Sequence, residues 1–128
     1  MTPISLEAWL DENLGEIAQA QEFTKEPLSD NHSLLNQQLS RSISEFSRMS
    51  YLLADVESYL IQKKAQAVLD VRKRYEDLSS PERKIMAEDS VRDITRLRDG
   101  LEATVGALKN MMIAAMNLRK VYLAERME

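Results

Sequence analysis

The chain has 128 residues, enough for one ordinary domain, and its formal net charge is −4 with 44% hydrophobic, 30% charged and 5% aromatic residues. The absence of cysteine excludes disulfides and thiolate metal sites, and a mixture rich in Leu, Ala, Glu, Lys, Arg and Met with three Gly and three Pro favours long helices in an all-α fold. The opening "MTPISLEAWLDEN" lacks the basic and apolar blocks of a signal peptide, and the longest uncharged apolar run, "NMMIAAMNL", is too short to span a bilayer; the expectation is a soluble, cytoplasmic protein without membrane contact.

Thr2 before Pro3 fits a helix start, with Glu7, Asp11 and Glu12 early in the helix, where the macrodipole favours anions. Ile4, Trp9, Leu10, Leu14 and Ile17 recur at roughly helical spacing until "EFTKEPLSDNHS" breaks the pattern, so residues 1–30 read as an acidic N-terminal helix and linker. Trp9 and Leu10 are candidate partner anchors, because Trp is enriched at binding hot spots. The alternative for Trp9 is packing within its own chain.

Residues 31–78 contain no Gly and no Pro, and Leu35, Leu39, Ile43, Phe46, Met49, Leu53, Val56 and Leu60 keep three-to-four spacing. One helix of about 45 residues, about 70 Å long, is predicted. "SSPE" ends it, with Ser79 or Ser80 capping a second long helix over 81–127. That helix carries a seven-residue repeat: Ala87, Ile94, Leu101, Leu108, Ala115 and Tyr122 at one position, Val91, Val105 and Met112 at another. Arg98, Arg119 and Arg126 interrupt the second series. Gly100, Ala103, Ala107, Asn110 and Ala114 form a stripe of small side chains suited to close helix approach or to plain helix formation, and Gly100 or Gly106 is a candidate bend.

Two equal helices joined by a short turn predict a long antiparallel helical hairpin over residues 31–128. A hairpin has no third layer to cover its second face, yet Met111, Ile113, Met116, Leu118, Val121 and Leu123 make that face apolar near the C-terminus. Assembly into an oligomeric helical bundle or ring is therefore expected, through Leu101, Val105, Leu108, Met112, Met116 and Tyr122. Nothing points to an enzyme, a cofactor, a metal or a small-molecule substrate: the only histidine, His32, lies in the polar "SDNHS" stretch, and no His/Glu metal motif or Gly-rich phosphate loop occurs.

Charge divides unevenly. Residues 1–62 sum to −7, residues 63–98 to +3 and residues 99–128 to zero. The run "VRKRYEDLSSPERK" thus places positive charge at the expected turn of an acidic protein. One reading is a solvated surface laced by i, i+4 pairs such as Asp70–Arg74, Arg72–Glu76, Lys73–Asp77, Lys84–Glu88 and Glu88–Arg92. The other is a site for single-stranded nucleic acid, in which Lys63, Lys64, Arg72, Lys73, Arg74 and Arg83 hold phosphates and Tyr75, on the helical face of Lys64, stacks on a base.

The segment "YLIQKKAQAVLDVRKRYEDLSSPERK" and the helix after it resemble the small helical recombination mediators of tailed phages, the UvsY family. The resemblance implies an oligomeric all-helical protein of the host cytoplasm that binds single-stranded DNA and loads a RecA-like recombinase in place of single-strand-binding protein. It points to Lys63, Lys64, Leu69, Arg72 and Tyr75. The alternative is an oligomeric protein-interaction or inhibitory module without nucleic acid, acting through "LEAWLDENLGEIAQAQEF".

Overall fold

The computed structural model describes residues 5–127, which form four helices and no strand: α1 (Leu6–Phe23), α2 (His32–Arg74), α3 (Ser80–Ser90) and α4 (Arg92–Met127). The protein is all-α. Its residues fall into two compact units, one made of the chain up to Tyr51 and from Leu101 onward, the other of Leu52–Gly100.

In the first unit α1 packs as a third layer, so Trp9 packs within its own chain. Ser5, not Thr2, is the N-cap, its hydroxyl accepting from the Ala8 N–H at 3.1 Å; Thr2 and Pro3 lie outside the described residues. Trp9, Asn13, Ile17, Ala20 and Phe23 recur every three or four positions and are all buried. Arg48 of α2 donates to Glu16 at 2.7 Å and to the Asn13 side chain at 3.4 Å, while the Arg41 guanidinium lies 4.2 Å above the Phe23 ring. The hydrogen bond to Glu16 raises the Arg48 pKa further above its ordinary value. Two of the three basic residues in 1–62 therefore serve to hold the acidic helix and the linker after it.

The Gln38 side chain bonds the linker after α1 at two points. The Gln38 amide donates to the Pro27 carbonyl at 3.0 Å and accepts from the Ser29 N–H at 2.8 Å, and Asn31 caps α2 through the Leu34 N–H. Around it Leu35, Leu39 and Ala115 form a buried cluster against Leu28, Leu118 and Tyr122. The Tyr122 hydroxyl donates to the Ser29 carbonyl at 3.3 Å.

On α4 the residues facing this core are Leu101, Thr104, Leu108, Met111 and Ala115. Leu101, Leu108 and Ala115 follow the seven-residue repeat, whereas Val105 and Met112 of the second series are only half-buried. The stripe of small residues points elsewhere: Ala103, Asn110 and Ala114 are exposed, and a Cβ added at Gly100 or Gly106 would meet nothing within 4 Å.

The second unit joins the rest of α2 to α3 and the start of α4. Its core is Leu52, Val56, Leu60, Val71, Ala87, Val91 and Ile94. α2 ends at Arg74 rather than Leu78, and Ser79 caps α3 reciprocally with Glu82, the cap hydroxyl accepting from the Glu82 N–H and donating to its carboxylate. The expected single helix over 81–127 is interrupted at Val91, whose backbone adopts φ −111° and ψ 16°. Neither glycine causes this. The Ser90 hydroxyl bonds back to the Ala87 carbonyl and the Thr95 hydroxyl to the Val91 carbonyl, competing with the helical ladder on both sides of the break.

Candidate nucleic-acid interface

The positive charge gathers where a helix end stabilises it. Arg72, Lys73 and Arg74 form the last turn of α2, beside unsatisfied carbonyls equivalent to about half a negative charge. None of Lys63, Lys64, Arg72, Lys73, Arg74, Arg83 and Lys84 forms an ion pair with another described residue.

The pairs anticipated from i, i+4 spacing fail for identifiable reasons. Because α2 stops at Arg74, Glu76 and Asp77 lie in the turn, and Arg72 and Lys73 have no helical neighbour four residues on. Asp70 takes the Gln66 amide at 3.0 Å instead of Arg74. Arg92 pairs with Asp89, leaving Lys84 and Glu88 apart from it.

Two concavities flank the line along which α2 and α3 meet. The first is a cleft of about 480 Å³ with Lys63, Gln66, Asp70, Arg74 and Tyr75 on one side and Met86, Asp89, Ser90, Val91 and Ile94 on the other. The buried Val71, Val91 and Ile94 give it an apolar portion. Its two carboxylates are engaged by Gln66 and Arg92, so Lys63 and Arg74 are the uncompensated charges at its rim. Tyr75 is 38% exposed there, and the Lys63 ammonium lies 5.4 Å from the Tyr59 ring. The second is a hollow of about 270 Å³ lined by Val68, Arg72, Ser80, Arg83 and Lys84: three cations and no carboxylate. Within it the Arg83 guanidinium donates to the Ser80 hydroxyl at 3.3 Å.

The single basic stripe anticipated from the sequence is thus two sites. Lys63, Arg74 and Tyr75 share the cleft, Arg72 and Arg83 share the hollow, and Lys64 and Lys73 are exposed and line neither. Tyr75 lies just past the end of α2, so it keeps company with Lys63 and not with Lys64. Leu69 is exposed on α2. Lys84 and Ser80 were missed because their role depends on α3 folding back beside α2; Lys63, Asp70 and Arg74, at i, i+7 and i+11, were a readable signal for the cleft.

Other candidate residues fall inside the fold. Trp9 is 5% exposed and belongs to the core of the first unit, with Leu10 half-buried beside it, so the tryptophan presents no anchor at the surface. Leu101 and Leu108 are fully buried within the chain and are not available to a second copy; Val105, Met112 and Tyr122 are half-buried, and Met116 is exposed. Among the described residues no group of three His, Asp or Glu side chains is placed to hold a metal ion, and no helix is long and apolar enough to cross a membrane. Comparison with protein-family models, with curated proteins and with solved structures finds no match to this chain.

Proposed function

We propose that the protein is an oligomeric single-stranded-DNA-binding accessory of recombination, built as a long helical hairpin that assembles into a helical bundle or ring and helps load a RecA-like recombinase, with the recombinase or single-strand-binding protein as its further partner. The observation that carries the reading is the set of cations without ion pairs, around two concavities, one of which is also lined by buried valines and a tyrosine. Cations at the rims neutralise phosphates, and Tyr75 with the apolar portion of that cleft offers a base a surface indifferent to sequence. The resemblance to the phage mediators supplies the recombination context.

Self-association strengthens the reading, because one copy offers few phosphate contacts and several copies multiply them on one strand. Apolar side chains left uncovered by the chain itself favour it: Ile61, Val68, Leu69 and Ile85 in the second unit, and Ile113, Met116, Val121 and Leu123 in the first.

The test is fluorescence anisotropy with a labelled, unstructured strand of about 40 bases and with a duplex of equal length. The single strand is expected to bind more tightly at low salt, and Tyr75→Ala to weaken binding by about 1–3 kcal/mol. Equal affinity for both forms, or no binding, would reject the proposal in favour of a protein-interaction module.

A further inference from the structure

The outward face of α2 in the second unit carries a row that the core does not require and of which Val68 alone also lines a concavity. Ala54, Ser58, Ile61, Ala65 and Val68 follow one another at spacings of four and three, and all are exposed, Ile61 at 70% and Val68 at 50%. This alternation keeps side chains on one seam when two helices lie side by side. The row contains no charge. Glu57 and Lys64 border it on one flank, seven residues apart, and neither forms an ion pair among the described residues.

We propose that this row is a self-association surface, occupied by the same row of a second copy running antiparallel. With the two-fold axis level with the Tyr59–Leu60 bond, Ala54 meets Ala65 of the second copy and Ser58 meets Ile61 of the second copy, and each contact occurs twice. Alanines at the outer layers let the two helices approach toward the short end of the usual 8–10 Å separation. The same register sets Glu57 against Lys64 of the second copy, again twice, because antiparallel helices bring like flanks together. In a parallel pair Glu57 would face Gln62 and Lys64 would face Leu69, with no charge satisfied. Charge therefore selects the antiparallel arrangement.

The inference rests on the reading that the chain self-associates, and it assigns the contact to α2, where the α4 residues Leu101 and Leu108 are unavailable. It also accounts for Lys64, which lines neither basic concavity.

The test is sedimentation velocity over a concentration series, with circular dichroism to confirm that helix content is unchanged; all substituted positions are exposed. Glu57→Lys and Lys64→Glu each place like charges opposite one another twice and are expected to raise the dissociation constant about tenfold or more. An equimolar mixture of the two variants, or the double variant Glu57→Lys/Lys64→Glu, restores opposite charges and with them association. Ile61→Asp abolishes it. Unchanged association in both single variants and in Ile61→Asp overturns this surface while leaving self-association standing, and weakened singles with no rescue in the mixture overturn the antiparallel register. A monomer at every concentration of the unmodified protein overturns both.

Discussion

Trp9 and the three glycines show how far individual residues follow their environment. Trp9 sits in the core of the first unit, so Trp9→Ala should destabilise it by about 3–5 kcal/mol, measured by urea unfolding. As the only tryptophan, its own emission reports unfolding of the intact chain, which should shift from the blue of a buried indole to the red of an exposed one. Gly15 and Gly106 lie inside helices with open space where a Cβ would stand. Changing either to Ala should therefore stabilise by about 0.5–1 kcal/mol, seen as a higher urea midpoint at constant slope. A loss of stability would mean that these glycines serve an approach the single chain does not show. Local spacing made Ile17 and Ala115 legible as core residues, whereas Leu101 and Leu108, read as contacts to a second copy, are buried by the chain itself. The roles of Arg41, Arg48 and Gln38 were not legible, because each acts on a segment far along the chain and leaves no local periodicity.

Among the elements, α1 is the one whose part differs most from expectation. Its buried face, Trp9, Ile17, Ala20 and Phe23, supplies the third layer that two helices alone would lack. Removing residues 1–28 should accordingly lower the melting temperature sharply and expose apolar surface to a hydrophobic dye, where a dispensable arm would leave both unchanged. The helix ends teach a related lesson. "SSPE" announced the start of α3 correctly, with Ser79 as cap, and Ser79→Ala should cost about 0.5–2 kcal/mol in the stability of the second unit. The end of α2 was four residues out, since no Gly or Pro marks Arg74 and the turn to α3 simply requires residues the helix gives up. The break at Val91 was hidden as well: a serine and a threonine bonding back to the main chain are ordinary in composition and matter only by position.

For the whole molecule, the acidic total conceals a division of labour between charges. Glu16 of α1 meets Arg48, and Glu26 of the linker after it meets Arg41, within the first unit, while the cations at the end of α2 and the start of α3 stay without carboxylate partners. The sequence displayed the excess of positive charge but not its partition into a cleft and a hollow, since that depends on which side of the α2–α3 contact each residue falls. The measurement that bears most directly on the proposed role is the salt dependence of single-strand binding by the intact protein. If Lys63, Arg72, Arg74, Arg83 and Lys84 each neutralise a phosphate, the logarithm of affinity should fall against the logarithm of salt with a slope of about −3 to −4 per copy, nearly independent of base sequence. Arg72→Gln/Arg83→Gln should bring that slope about 1.4 nearer to zero with helix content unchanged. A slope near zero, or one untouched by the double substitution, would contradict the account and leave the positive end of α2 as a solvated helix terminus.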